Sequence, residues 1–258
     1  MDLGLKGKVA VVTGSSRGIG FSIAQRLAEE GCAVVISARG GDALRKAAAT
    51  MESEGLQVHP VQIDLTDPAA PGHLIDETVE RYGRLDILVN NVGGNRRKPF
   101  EATNDDDWRA ILELNFESHV RCSRAAIPYM KQQLGGAIVF ISSIFGREAG
   151  GPGLSIYNTT KSALISLAKI MSLELAGDNI RVNSVAPGSI RFPGGSWDRR
   201  VLADPEGMAE FVKVNLPQGR FGTAEEVADV VAFLSSSRAS LITGACLNVD
   251  GGQSRSLI

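Results

Sequence analysis

Cysteine and histidine are scarce in this chain, three of each in 258 residues. Cys32, Cys122 and Cys246 are scattered and odd in number, and no C-x-x-C spacing occurs, so no disulfide framework is expected. His59, His73 and His119 form no ligand cluster with them, and no resident metal is expected. An excess of one charge is lacking too, since 27 basic and 29 acidic residues leave a net charge of −2. That balance gives no electrostatic footprint for nucleic acid or for an anionic membrane surface. No apolar run reaches the roughly 18 residues of a transmembrane helix. The opening stretch MDLGLKGKVAVVTG has no basic n-region, long apolar core or cleavage site, so it does not read as a signal peptide. Internal repeats and low-complexity linkers are also missing. The expectation is a reduced, cytoplasmic protein with one sizeable domain spanning residues 1–258.

What is present is a regular alternation of short β-branched runs with longer amphipathic ones. Strands are predicted at 8–13, 33–37, 57–64, 85–91, 137–142, 180–188 and 245–252. Helices are predicted over 20–31, 42–54, 70–82, 105–133, 156–176 and 223–236. The strands are apolar throughout instead of alternating, which implies a parallel sheet covered on both faces. Right-handed crossovers then give an α/β, Rossmann-like, doubly wound seven-stranded sheet. One insertion, 188–220, is rich in glycine and proline and reads as irregular. It follows the sixth strand, at the end of the sheet where ligands bind in such folds, and is therefore placed to be a substrate lid.

Between the first strand and first helix lies TGSSRGIG, residues 13–20. Gly14, Gly18 and Gly20 allow a tight turn and the approach of a pyrophosphate to the helix N-terminus, where unpaired N–H groups favour an anion. The spacing is G-x3-G-x-G, and Ser16, Arg17 and Ile19 sit within it. Dinucleotide sites that prefer NAD usually place an acid after the second strand to bind the ribose 2′-hydroxyl. Here that region reads VVISARGG, with Ser37 and Arg39 and no acid before Asp42. Arg17 and Arg39 together suit a 2′-phosphate and favour NADP(H) over NAD(H). Further along, YNTTK spaces Tyr157 and Lys161 four apart, on one face of a helix. Spacing alone fits a surface pair as well as a proton donor beside a cation.

The ordered set TGSSRGIG, DLTD (64–67), NNVG (90–93), ELNFES (113–118), ISSIFG (141–146), YNTTK and RVNSVAPG (181–188) resembles the short-chain dehydrogenases/reductases over nearly the whole chain. Among them it is similar to the 3-oxoacyl-[acyl-carrier-protein] reductase-like members. The resemblance implies hydride transfer between NADP(H) and a carbonyl or secondary alcohol, with Tyr157 as general acid and base. Bringing a phenol from its usual pKa near 10 to neutrality takes roughly 4 kcal/mol. The Lys161 ammonium and the positive nicotinamide are the expected sources. By the same resemblance Lys161 also holds the nicotinamide ribose, Ser143 holds the substrate oxygen, with Ser142 its competitor, and Asn115 organises a water relay. Asp64 and Leu65 are expected at the adenine and Asn91 on the adenosine side. Gly93, Pro187, Gly188 and Ile190 complete the implied cofactor contacts.

Two departures stand out: Val92 where relatives carry alanine, and Phe192 where many carry a threonine that binds the carboxamide. Ser189 or loop backbone would have to supply that contact. Substrate-facing candidates come from 93–100, 145–156, Phe192, Trp197 and Arg199. The basic run at 96–98 could attract an anionic substrate or be a solvated loop, and is read as the loop. Acyl-carrier docking would want basic residues near MKQQLGG and LAGDNIR, which have few. The substrate thus ranges from a 3-oxoacyl thioester to a small ketone or alcohol. Alternatives are a sugar or steroid alcohol dehydrogenase, or a catalytically silent NADP(H)-binding sensor or scaffold. Relatives pair the helices predicted at 105–133 and 156–176 across a two-fold axis, which implies a homotetramer.

Overall fold

The computed structural model describes residues 1–257. Its first strand, β1 (Val9–Thr13), is buried at all five positions, which requires cover on both faces. Six more strands follow: β2 (Ala33–Ala38), β3 (Val58–Gln62), β4 (Ile87–Asn90), β5 (Gly136–Ile141), β6 (Ile180–Pro187) and β7 (Cys246–Val249). All pair in parallel, in the order β3-β2-β1-β4-β5-β6-β7.

The pleat divides β1 between two cores. Ala10 and Val12 pack with Ile23 and Leu27 of α1 (Gly18–Glu29), Met51 of α2 (Gly41–Ser53) and Val231 of α9 (Ala224–Ser235). Val11 faces the other way, towards Leu74 of α3 (Ala70–Tyr82), Met130 of α5 (Ser118–Gln132) and Leu164 of α6 (Ser155–Glu174). Phe140 on β5 is the bulkiest fully buried side chain of this second core. Its truncation to alanine is worth about 3–5 kcal/mol. Strand order reverses between β1 and β4, so the crevice beyond their carboxyl ends is where such a sheet receives a ligand.

Two predicted elements need correction. The helix expected over 105–133 is divided into α4 (Asp105–Leu112), a π-helical turn (Glu113–Glu117) and α5. Asn115 sits inside that turn. The insertion at 188–220 is not irregular, for it carries α7 (Ser196–Ala203) and α8 (Pro205–Asn215). Its glycines and prolines are helix punctuation. Pro205 stands in the first turn of α8, and the Asp204 carboxylate caps that helix by accepting from Gly207 N at 2.9 Å. Among the described residues, no helix is long and apolar enough to cross a membrane.

Candidate active site

The glycine-rich turn after β1 is built by close approach. Gly14 and Gly18 take left-handed φ values of +63° and +58°. A Cβ on Gly14 would stand 2.9 Å from Val92 Cα, and one on Gly20 would stand 2.5 Å from the Gly14 carbonyl. Thr13 and Ser15, which the sequence reading passed over, tie this turn to its neighbours. Thr13 Oγ1 accepts from Asn91 N and Val92 N, at 2.9 and 3.1 Å, which fixes the end of β4. Ser15 Oγ accepts from Ser37 N at 3.0 Å, which fixes the end of β2. Asn91, expected on the adenosine side, instead turns its amide onto the Thr13 and Gly14 carbonyls, at 2.9 and 3.0 Å. Val92 lines the cleft in its place.

That cleft, about 250 Å³, is bounded by Gly14, Ser16, Arg17, Ser37, Arg39 and Leu65, with Asp64 and Val92 along its floor and rim. The Ser37 hydroxyl is buried there without a hydrogen-bond partner among the described residues. Such a group calls for a ligand atom or water. Arg39 is two-thirds exposed and lies 3.8 Å from Asp64 Oδ2. Asp64 Oδ1 is already engaged by the Thr66 amide and hydroxyl, at 3.0 and 2.8 Å. An orphaned serine hydroxyl, two guanidinium groups and a glycine turn with no room for Cβ atoms fit the phosphate-bearing half of a dinucleotide. Ile19, in the first turn of α1, packs inward on the core.

Beyond β4, β5 and β6 lie the remaining candidates. Asn115 is fully buried, accepts from Gly94 N at 2.8 Å, and donates to Gly94 O and Thr160 Oγ1 at 2.9 and 3.1 Å. Thr160 in turn donates to Tyr157 O at 2.9 Å, a link inside YNTTK that the sequence reading also passed over. Lys161 is only 4% exposed. Its Nζ donates to Ile141 O at 2.8 Å and lies 5.8 Å from the Tyr157 ring centre. Gly93 packs between them, for a Cβ there would be 3.4 Å from Asn115 Oδ1 and 3.5 Å from Lys161 Nζ. Ser142 and Ser143 have separate tasks. Ser142 Oγ donates to the Lys161 carbonyl at 2.8 Å, whereas the Ser143 hydroxyl is the hydrogen-bond partner of Tyr157.

The electrostatics differ from the expectation in one respect. Burial of Tyr157 raises its pKa, and the Ser143 hydrogen bond only partly opposes this. The Lys161 ammonium is turned onto Ile141 O, with no hydrogen bond to the phenol. Burial instead pushes the Lys161 pKa down to about 8.

The loop after β6 is held by backbone pairing. Gly188 N donates to Val249 O at 3.0 Å, and Ile190, buried on the core, bridges to Gly222. Pro187 closes β6. Phe192 lays its ring against Gly18, where a Cβ would be 2.5 Å from Cε2. Trp197 does not stand free in the cleft. It stacks within the lid on Phe211 and Phe221, with ring centres 4.9 and 5.4 Å away, and Arg199 bonds back to Gly194 O at 2.6 Å. The larger cavity, about 480 Å³, lies inside this lid between Val201, Met208, Val212 and Phe221, away from Tyr157. The basic run is not simply solvated either. Arg96 and Lys98 both pair with the buried Asp107, at 3.1 and 2.6 Å, and only Arg97 stays outward, donating to Pro152 O at 3.1 Å.

A family profile described as Enoyl-(Acyl carrier protein) reductase matches residues 14–254. The 3-oxoacyl-[acyl-carrier-protein] reductase FabG of Thermotoga maritima is 38% identical over 253 residues, covering 96% of this chain and 98% of its own. Human dehydrogenase/reductase SDR family member 4 is also 38% identical, over 252 residues, with 96% and 88% covered. The crystal structure of L-sorbose reductase from Gluconobacter frateurii, complexed with NADPH and L-sorbose, has a TM-score of 0.94 at 35% identity, with both chains covered to 100%. With its seven-stranded parallel sheet and near full-length relatives of this kind, the chain belongs to the short-chain dehydrogenase/reductase family of oxidoreductases.

Proposed function

We propose that this protein is an NADP(H)-dependent oxidoreductase that interconverts a carbonyl and a secondary alcohol, with Tyr157 as its general acid and base. The observation that carries this reading is the convergence of Tyr157, Ser143, Lys161 and Asn115 beside the cleft at the strand-order reversal. A bound nicotinamide supplies or accepts the hydride. Tyr157 donates its phenolic proton to the carbonyl oxygen in reduction and takes one back in oxidation. Ser143 stabilises the same oxygen as negative charge develops on it. Lys161 brings a buried positive charge beside the Tyr157 ring and would be the residue to hold the cofactor's ribose, and Asn115 fixes the Gly93–Gly94 backbone beside it.

NADP(H) is favoured by Arg17, Arg39 and the unpaired Ser37 hydroxyl, with NAD(H) the lesser partner. The similarity to a reductase crystallised with NADPH points the same way. A small ketone, ketose or 3-oxoacyl thioester is the substrate class. Docking of an acidic carrier protein is disfavoured, because Lys131, a cation on the face where it would be sought, is bonded to Asp178 at 2.7 Å. The lid over 188–220 closes on the substrate. Ile170 and Leu173, half or more exposed on α6, support a homotetramer joined along that helix. The unpaired thiols of Cys32, Cys122 and Cys246 suit a reducing, cytoplasmic setting.

The test is NADPH oxidation over a panel of ketoses, diketones, simple ketones and 3-oxoacyl thioesters, with NADH in parallel and Tyr157→Phe as control. Turnover that needs NADPH and falls by about 10²–10⁴ in the variant is expected. Activity that survives Tyr157→Phe would remove the phenol from the chemistry. Tight NADPH binding without turnover in either direction would favour a sensor or scaffold.

A further inference from the structure

His119 is fully buried on α5, behind the candidate catalytic lysine, and the chemistry described above makes no use of it. Its Nε2 lies 2.8 Å from the Val92 carbonyl. A carbonyl can only accept, so Nε2 carries the proton. Its Nδ1 is buried without a partner among the described residues, as is Asn90 Oδ1. The two lie in one layer. Asn90 donates to Ser123 Oγ at 3.1 Å, one helical turn beyond His119, and stands beside Phe140 in the sheet, whose ring centre is 6.2 Å from the imidazole. Burial first and the Lys161 charge second push the His119 pKa down to about 3. Among the described residues, Lys161 is the charged side chain that acts on it.

An imidazole with half its bonding capacity unspent is an expensive filler for a core position, costing roughly 1–3 kcal/mol against an apolar residue. What it gives in return is the bond to Val92 O. Val92 precedes Gly93, where a Cβ would come within 3.5 Å of Lys161 Nζ, and Gly94, which Asn115 holds at both its amide and its carbonyl. We propose that His119 is a positioning residue for the catalytic lysine: its Nε2–H fixes the 92–94 backbone against Lys161, and its unprotonated Nδ1 keeps a second positive charge from forming there. The proposal rests on Lys161 and Tyr157 acting as described, but two of its tests need no turnover.

The first test is ¹⁵N NMR of histidine-labelled protein. A pyrrole-like Nε2 and a pyridine-like Nδ1, unchanged across the range where free imidazole titrates, are expected; a proton on Nδ1 would overturn the proposal. The second follows the Lys161 ¹³Cε shift with pH in His119→Phe and His119→Gln. Glutamine keeps a neutral donor for Val92 O. In His119→Phe the slackened backbone admits water, so the Lys161 titration moves up by about one pH unit, roughly tenfold in its ionisation constant; the glutamine variant restores it. Where a substrate is in hand, the pH profile of alcohol oxidation moves likewise. An unmoved Lys161 titration in a folded His119→Phe protein would reduce His119 to packing. If His119→Phe does not fold, the tautomer and the glutamine variant decide, since Lys161 must then titrate as in the parent.

Discussion

Replacing Lys161 by methionine should make the cofactor-free protein slightly more stable while abolishing its chemistry. The ammonium is 4% exposed, and burial lowers its pKa from 10.5 to about 8. That gap corresponds to about 3 kcal/mol against the charged form at neutral pH. Methionine fills similar volume without charge, but it strands the Ile141 carbonyl, which now accepts from Nζ at 2.8 Å. A buried carbonyl left unpaired costs about 1–3 kcal/mol. The balance is a gain of roughly 1 kcal/mol, or about 2–4 °C in Tm for a chain of this size. Its pH dependence fixes the sign. The unfolded lysine keeps its proton up to 10.5, the folded one only up to about 8, so between these values the unfolded state binds more protons. Parent stability therefore rises with pH through that window, and the full penalty is present below it. The variant lacks this rise, so its advantage shrinks above pH 8 and reverses once the parent lysine is neutral, leaving only the stranded carbonyl. Thermal and urea unfolding at a series of pH values reads both effects, alongside turnover that drops at least about 100-fold. A variant clearly less stable than the parent at neutral pH, or a stability difference flat across the window, would refute the reasoning.

Other expectations concern the cofactor cleft. Arg17→Ala and Arg39→Ala should each lower kcat/KM with NADPH by about 10–100-fold, the worth of a charge-assisted hydrogen bond, and leave NADH nearly untouched. Equal losses with both cofactors would remove the 2′-phosphate from the argument. Asp64→Asn releases Arg39 from its exposed 3.8 Å pairing and should tighten NADPH binding by no more than about fivefold, measured by fluorescence titration. Gly18→Ala faces both a left-handed φ and the Phe192 ring. Pairing it with Phe192→Ala should recover the clash but not the backbone term of about 1–2 kcal/mol, as read by urea unfolding.

The sheet was legible because short, β-branched, continuously apolar runs such as VAVVT and AIVFI alternate with longer amphipathic ones, the pattern of a doubly covered parallel sheet. Asn115, Ser143, Tyr157 and Lys161 were legible as ordered motifs, and the fold brings the four together. The π-helical turn around Asn115 was not, because its one extra residue shifts the phase of the apolar stripe only once, too slight a change to read within a long helical run. The helices of the insertion were hidden because PGGS and DPEG read equally as loop or as helix starts; the Asp204 bond to Gly207 marks the second, and the first has no side-chain cap to announce it. The side-chain role of Asn91 was not legible for a related reason. An amide can serve a ligand or a carbonyl, and its choice depends on Thr13 and Gly14, 77 or 78 residues earlier in the chain.

The aromatic stack within the lid has a practical corollary. The chain has two tryptophans, and one of them, Trp197, packs against both Phe211 and Phe221, which also stack on each other, with the Arg200 guanidinium 4.8 Å above it. The indole therefore cannot reorient independently of α7 and α8. With Trp108→Phe, the remaining emission comes from this segment alone, and reduced nicotinamide absorbs where indole emits. Energy transfer from Trp197 in stopped flow would then test, without an added dye, whether this segment approaches NADPH as the proposed function expects.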